Sequence, residues 1–235
     1  MKKVISYSLW GDDTRYTIGA IHNSILAKYY YPGWISRFYC ANNVPVDIID
    51  QLSRYESNEI IITGQEPNWT GMFWRFYAAA DADIMLSRDA DARISSREAC
   101  AVNSWLSTDQ SFHIMRDHPY HARPIMGGMW GCRNGILSNI MELINNFHKT
   151  DRYEIDQDFL GKVIYPRVAN SACVHDPFYE NRPFPIECGE RIPCFHIGQA
   201  YDEKGVVLGV EEYGPMSYTN FILEKDNINL YEDIL

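Results

Sequence analysis

The sequence predicts an α/β fold, with a single domain built on a central, mostly parallel β-sheet flanked by helices. Over residues 1–94, short apolar runs alternate with segments whose apolar residues recur at helical spacing. This alternation is typical of parallel βαβ units, in which a helix follows each strand and packs on the sheet. The chain has 235 residues, of which 46% are hydrophobic, and this is enough for the core of one large domain.

The first half is predicted to contain four strands and three helices. The strands are the apolar runs at 3–9, 35–41, 59–63 and 82–87. The first helix begins at Asp13 or Thr14 and ends at Pro32, where a Pro-Gly pair breaks the helical pattern. The other two helices are predicted at 46–55 and 70–80.

The second half is less regular. Ser95 and Glu98 predict a capping box at the start of a helix. Residues 111–135 predict a strand, an irregular loop and another strand. Further helices are predicted at 136–147 and from about Asp156 onward. Toward the carboxyl end, Gly, Pro and aromatic residues predict strands and loops that wrap over the sheet.

Composition excludes several classes of protein. A net charge of -10 argues against a protein that coats nucleic acid or binds an anionic membrane, although a small anionic ligand can still be held by a few local arginines. The opening MKKVISYSLWGDD has only a short apolar run, so neither a signal peptide nor a transmembrane segment is expected. The six cysteines form no CxxC pair, which predicts free thiols in a reducing compartment such as the cytoplasm.

The most informative segment is MLSRDADAR, residues 85–93, in which two carboxylates follow an apolar strand. Ligands of open parallel sheets bind at the carboxyl ends of the strands. If the chain turns there, Asp89 and Asp91 can converge on one divalent cation, since Mg²⁺ and Mn²⁺ prefer oxygen ligands and share them with substrate phosphates. The flanking arginines suit phosphate oxygens. The D-x-D pattern alone is a weak motif, and a solvated turn with local Asp–Arg pairs is the alternative.

Four segments together resemble glycosyltransferases with a D-x-D motif. In chain order they are VISYSLWG (4–11), SRDADAR (87–93), IMGGMWGCRNG (125–135) and IDQDFLGKVIYP (155–166). Their order and spacing are similar to those of small single-domain enzymes of bacteria and large DNA viruses, the chloroviruses among them. The resemblance implies the single-domain GT-A fold of nucleotide-diphospho-sugar transferases over 1–235.

The resemblance also implies an activity: a hexosyltransferase-like enzyme that moves a sugar from a nucleoside diphosphate sugar, with a UDP-sugar favoured, to a glycan hydroxyl. The reaction would take place in the cytoplasm, which for a virus-encoded enzyme is that of the host. Residues 1–94 would bind the nucleotide sugar, and 95–235 the acceptor. Mn²⁺ or Mg²⁺ would be held by Asp89, Asp91 and a late histidine, for which His175 is favoured over His196.

Further site residues are carried by the same resemblance. The donor would contact the loop after the first strand, together with Arg75, Arg88 and Asp89. The loop residues are Tyr7, Ser8, Trp10 and Gly11. For these the alternative is a plain βα turn, and for Arg75 it is a surface arginine that covers Trp74 or Phe76.

The catalytic and acceptor residues also have structural alternatives. Asp156, Gln157 and Asp158 would lie near the reacting sugar, where a carboxylate acts as the base of an inverting enzyme or has another polar role in a retaining one. As helix-capping residues, the two aspartates equally suit a first helical turn. Asp117 is another candidate base. The acceptor segment is represented by Gly127, Gly128 and Trp130, for which the alternative is a tight turn with a core tryptophan.

Other functions fit less well. A zinc site at His113, Asp117, His118 and His121 is disfavoured because Pro119 breaks the helix that would align two of the histidines, and no cysteine has ligand spacing. An aspartyl-phosphate phosphatase would carry D-x-D on its first strand. A sugar nucleotidyltransferase shares the nucleotide-binding core, but its Gly-rich basic loop is replaced by the acidic turn GDD. A non-catalytic sugar-binding module would hold glycan without metal.

Overall fold

The computed structural model describes residues 1–209 and contains one seven-stranded sheet in the order β3-β2-β1-β4-β6-β5-β7. The strands are β1 Lys3–Leu9, β2 Ile35–Cys40, β3 Asn58–Ile62, β4 Ile84–Ser87, β5 Phe112–Met115, β6 Trp130–Arg133 and β7 Ala172–His175. Strand β6 runs antiparallel to β4 and β5, and the other pairs are parallel. The predicted α/β class with a mostly parallel sheet is confirmed.

Helices cover both faces of the sheet. They are α1 Thr14–Tyr30, α2 Val46–Ser53, α3 Ser96–Leu106, α4 Ile140–Asn146, α5 Ile155–Phe159 and α6 Tyr165–Val168. A π-helical turn, Leu160–Ile164, joins α5 to α6 without a break. One apolar cluster packs α1, α2 and α3 on one face, and a second packs α4, α5 and the segment before β4 on the other. The sheet is therefore buried on both sides, as parallel sheets are.

The helix predicted at 70–80 is a 3₁₀ helix, Trp69–Ala80, whose first turn is capped by the side chain of Asn68. Three residues per turn align Phe73, Phe76 and Ala79 in one fully covered row. The apolar pattern correctly located a helix, but the tighter winding depends on how this aromatic row packs, which propensity does not encode.

The predicted capping box at α3 is half formed. The Ser95 hydroxyl accepts a hydrogen bond from the backbone N–H of Glu98 at 3.3 Å. The Glu98 carboxylate does not return to the cap, since it accepts hydrogen bonds from Arg88 and Tyr31 in the interior. A tertiary ion pair has therefore replaced the local contact.

Two predictions concern the whole chain. Among the described residues, no helix is long and apolar enough to span a membrane. The acceptor-binding half was predicted to extend to residue 235, and its last part, 210–235, lies outside the described residues.

Candidate functional site

A cavity of about 300 Å³ opens beyond the carboxyl ends of β1 and β4, where parallel sheets bind ligands. Its walls come from the β1 loop, the 3₁₀ helix, the D-x-D turn, the loop before β6 and the start of α5. The lining residues are Ser8, Leu9, Trp10, Tyr16, Trp69, Met72, Arg75, Asp89, Ala90, Asp91, His121, Met126, Gly127, Met129, Tyr153, Glu154, Asp156, Gln157, Gly198 and Ala200. The cavity thus combines carboxylates, aromatic rings and few cations.

The D-x-D turn is held rigidly at the end of β4. The Asn23 side chain of α1 donates hydrogen bonds to the carbonyls of Ala90 at 3.2 Å and Ala92 at 2.8 Å. Gly19 allows this approach, because a Cβ there would overlap the carbonyl oxygen of Ala90. The turn directs Asp89 and Asp91 toward the cavity, and both residues line it.

Arg75 connects two carboxylates that lie far apart in the sequence. Its guanidinium is buried and forms ion pairs with Asp89 and, at 2.8 Å from Nη2 to Oδ2, with Asp156. The backbone N–H of Arg75 donates to Ser8 Oγ at 3.0 Å, which fixes the 3₁₀ helix to the end of β1. Arg75 is therefore neither a surface arginine nor free to bind phosphate, since both of its terminal nitrogens are occupied.

Gly127 and Gly128 make room for this arrangement. A Cβ on Gly127 would lie 2.5 Å from Arg75 Nη2 and 2.7 Å from Asp156 Oδ2. A Cβ on Gly128 would overlap Asp89 Oδ2 and lie 2.8 Å from the Asp89 nitrogen. The segment predicted to approach the acceptor therefore packs closely against the carboxylates of Asp89 and Asp156 and against the guanidinium of Arg75.

The electrostatics of the turn suit a divalent cation. Burial, and then the neighbouring Asp89 carboxylate, raise the pKa of Asp91 to about 6. A cation beside the turn would favour the ionised form of Asp91. The described residues contain no group of three or more His, Cys, Asp or Glu side chains arranged for a metal. A pair of aspartates still fits Mg²⁺ or Mn²⁺, which complete their shells with water and substrate phosphates.

Comparison with solved structures identifies the fold. Mannosyl-3-phosphoglycerate synthase from Rubrobacter xylanophilus superposes with a TM-score of 0.51 and 12% identity, over 74% of this chain and 65% of that one, just under two thirds of its length. Glucosyl-3-phosphoglycerate synthase from Mycobacterium tuberculosis, in complex with Mn²⁺, UDP and glucosyl-3-phosphoglycerate, gives 0.50 and 12%, over 74% and 68%. This chain has the GT-A fold.

A further similar structure is a glycosyltransferase involved in the glycosylation of the major capsid of PBCV-1, with 19% identity and a TM-score of 0.49, over 75% of this chain and 82% of that one. No protein-family model and no curated protein sequence matches the chain. The fold implied by the four sequence segments is thus the fold found in the structures with TM-scores of 0.50 and 0.51.

Within this GT-A domain, only part of the predicted β1 loop reaches the cavity. Ser8 and Trp10 line it. Tyr7 points into the core instead, where its ring stacks on Phe38 at 4.9 Å between centroids. Gly11 adopts a positive φ of 73° in the turn, and its N–H donates to the Asn43 side chain. Tyr7 and Ser8 are neighbours on β1, so their side chains point to opposite faces of the sheet.

Two predicted site residues lie in the interior, away from the cavity. Arg88 does not face a diphosphate: its Nε donates to Glu98 at 2.7 Å, and its Nη1 donates to backbone carbonyls. Trp130 offers no sugar platform, because its ring is fully buried on β6 and stacks on Phe112. Both buried positions follow from the strand register, because the adjacent residues, Asp89 next to Arg88 and Met129 next to Trp130, are the ones that line the cavity.

His175 is not brought to the D-x-D turn, so its choice as the third ligand is corrected. Its Nδ1 lies 2.9 Å from His113 Nε2, and its ring stacks on Phe184. Burial first, and then Arg97, lower its pKa to about 4, so the ring is a neutral core group. His196 does not line the cavity either, although its ring contacts His121, which does.

The three acidic candidates for catalysis differ in whether they line the cavity. Asp156 lines the cavity at 1% exposure, and Oδ1 accepts a hydrogen bond from the N–H of Gln157. Asp158 lies outside the cavity lining and pairs with Arg152 at 2.7 Å, with Lys162 and Arg123 also in range. Asp117 is fully buried against Arg97, so it is no accessible base.

An aromatic rim of the cavity was not predicted from the sequence. Trp69 and Tyr153 line the cavity, and their ring centroids lie 5.0 Å apart. Glu154, next to them, has a left-handed backbone with a φ of 62°, which is unusual for a residue with a side chain. Only Trp69 had a sequence signal, because it is an aromatic residue that directly follows the helix-capping Asn68. Nothing in the sequence brings it to Tyr153.

Proposed function

We propose that this protein is a metal-dependent glycosyltransferase that moves a sugar from a nucleoside diphosphate sugar, preferably a UDP-sugar, to a hydroxyl of a glycan. One observation carries the proposal: Asp89, Asp91 and Asp156 meet in one cavity at the carboxyl edge of a GT-A sheet, where Arg75 joins Asp89 to Asp156. The preference for UDP and for Mn²⁺ or Mg²⁺ is supported by the glucosyl-3-phosphoglycerate synthase of the same fold, whose structure holds UDP and Mn²⁺.

Four polar residues of the cavity have a role in this proposal. Asp89 and Asp91 would hold the cation, which, when bound, neutralises the negative charge that develops on the leaving diphosphate. Asp156 is a fixed, buried negative charge that faces the sugar and favours positive charge at its reacting carbon. Gln157 lines the cavity, and its buried Oε1 has no hydrogen-bond partner among the described residues, so it can accept one from a sugar hydroxyl.

The proposal extends to the organisation and location of the enzyme. The D-x-D turn and the β1 loop belong to 1–94, which would bind the donor, and 95–235 would complete the acceptor side. The six cysteines form no disulfide bonds, and four of them are buried, as suits a reducing compartment such as the cytoplasm.

The test is nucleotide release from a panel of UDP-, GDP-, dTDP- and CMP-sugars, with Mn²⁺, with Mg²⁺ and with EDTA. We expect release from one nucleotide class, dependent on metal and reduced about 100-fold in Asp91→Asn, a loss typical of removing one charged group from a preorganised site. Asp109→Asn, the same change at an exposed position outside the cavity, is the matched control and should be silent. If no donor binds or is cleaved by the wild type, with or without metal, the glycosyltransferase assignment is wrong.

A further inference from the structure

The cavity is strongly acidic for a site that handles phosphates. Among the described lining residues, four are carboxylates, namely Asp89, Asp91, Glu154 and Asp156, and Arg75 is the single arginine or lysine. Arg75 is already bound to Asp89 and Asp156. The cation of the proposed function neutralises the donor diphosphate, so no positive charge remains on the described walls for a charged acceptor.

The histidine in the lining does not change this balance. Burial, and then the neighbouring His196 and His118, lower the pKa of His121 to about 3, so its ring is uncharged near neutral pH. Glu154 has a partner in Arg123 at 3.0 Å and Asp91 has one in Arg15 at 3.6 Å, but neither arginine is part of the cavity lining. An acceptor that carried a phosphate would therefore add negative charge to a wall that already repels it.

The other feature of this wall is a partly exposed aromatic pair. Trp69 and Tyr153 are 39% and 60% exposed, although their rings contact each other edge to face at an interplanar angle of 70°. The two residues come from segments that are distant in the sequence. The Asp151 carboxylate, close to Tyr153 in the chain, accepts a hydrogen bond from the backbone N–H of Trp69 at 2.9 Å. Trp10 extends the cluster at 6.2 Å from Trp69. The three rings thus form one contiguous aromatic cluster at the cavity.

We propose that the acceptor is an uncharged carbohydrate, one ring of which packs its apolar C–H face against Trp69 and Tyr153. Sugar rings combine an apolar face with a rim of hydroxyls, and this matches an aromatic wall beside the unpartnered Gln157 Oε1. This inference rests on the proposed function and names its acceptor class. It sets the protein apart from the mannosyl-3-phosphoglycerate synthase of the same fold, whose name includes a phosphoglycerate group.

The transfer itself balances with these groups. A bond forms between the acceptor hydroxyl oxygen and the anomeric carbon of the donor, and the bond from that carbon to the diphosphate oxygen breaks. The nucleoside diphosphate leaves with the electron pair, and the hydroxyl proton passes to solvent or to a cavity carboxylate. Trp69 and Tyr153 take no part in these steps. They are specificity residues that place the hydroxyl.

The experiment measures nucleotide release from the best donor, with and without an acceptor, using neutral methyl glycosides and disaccharides as one probe set and 3-phosphoglycerate as the other. We expect a neutral saccharide to raise release above donor hydrolysis, and 3-phosphoglycerate to leave it unchanged. Trp69→Ala and Tyr153→Ala should each raise the acceptor KM about tenfold, the upper range for one aromatic contact, with donor hydrolysis and UDP affinity within about twofold of wild type. Tyr153→Phe, which keeps the ring, should behave as wild type.

The control is Tyr120→Ala, since Tyr120 is 82% exposed and does not line the cavity. Three results would overturn the inference while the proposed function stands: 3-phosphoglycerate acts as acceptor, no neutral saccharide at tens of millimolar raises release, or the alanine variants lose UDP affinity. A loss of UDP affinity would mean that Trp69 and Tyr153 bind the nucleotide base. Failure of the proposed function looks different, because the wild type then releases no nucleotide from any donor.

Discussion

Arg75 offers the sharpest test of how the site is held together. Replacing it by methionine, written Arg75→Met, removes the charge that joins Asp89 to Asp156 but keeps most of the buried volume. The two carboxylates then meet different conditions. The Asp89 side chain is 39% exposed and can be solvated, whereas that of Asp156 is 2% exposed and is left as an unpaired buried charge.

The size of the effect follows from that difference. Breaking a buried ion pair by removing one partner costs about 3 to 5 kcal/mol, and most of this should fall on Asp156. The Asp89 pair should add less than about 1 kcal/mol because water screens it. Asp156→Asn in the Arg75→Met background removes the stranded charge, so the double variant should regain about 2 kcal/mol of unfolding free energy.

The assay is urea unfolding of the wild type, of Arg75→Met and of the Arg75→Met/Asp156→Asn double variant, followed by circular dichroism at pH 8 and pH 5. Burial already raises the pKa of Asp156, and the loss of Arg75 raises it further. A carboxyl whose folded-state pKa is raised costs stability while it is ionised, so the deficit of Arg75→Met should shrink as the pH falls toward that pKa.

Arg37→Met is the matched control. Arg37 is equally buried, but its partners Glu59 and Asp81 have side chains that are 38% and 49% exposed and can be rehydrated. Its loss should therefore cost less than that of Arg75. A deficit below about 1 kcal/mol for Arg75→Met, or no recovery in the double variant, would refute the reasoning.

Three further predictions concern other parts of the molecule. Gly128→Ala should displace the D-x-D turn and abolish nucleotide release at a stability cost of about 1–3 kcal/mol, whereas Gly161→Ala, whose Cβ would find its nearest neighbour at 4.0 Å, should be silent in the same assay. Mn²⁺ should raise the Tm of the wild type by about 5 °C at saturation but leave that of Asp91→Asn unchanged, and an equal shift in both would remove the cation from the D-x-D turn. Burial, and then Arg93, lower the pKa of His22 to about 4. Because His22 is protonated more readily in the unfolded chain, the free energy of unfolding should fall by about 2 kcal/mol between pH 7 and pH 5. His22→Gln should lose this part of the pH dependence of stability, and an unchanged pH dependence in urea titrations would contradict the prediction.

Much of the fold is visible in local patterns. The first three strands and α1 were predicted to within about two residues because apolar periodicity and end signals such as the Asp13 cap and Pro32-Gly33 act locally. The helix at 136–147 was predicted too long, since α4 begins only at Ile140. The antiparallel direction of β6 was not predicted, because pairing direction depends on contacts with β4 and β5 that sequence periodicity does not carry.

The sequence by itself determined the α/β class and the position of Asp89 and Asp91, since an apolar strand that ends in two carboxylates delivers them to the ligand-binding edge of the sheet. Only the tertiary structure decided which other polar residues join them. Arg75 lies in the site and Arg88 lies outside it because each side chain forms an ion pair with a nearby buried carboxylate, Asp156 for Arg75 and Glu98 for Arg88. An unpaired buried charge is costly, so the final partners are selected by three-dimensional proximity, a quantity that spacing along the chain does not contain.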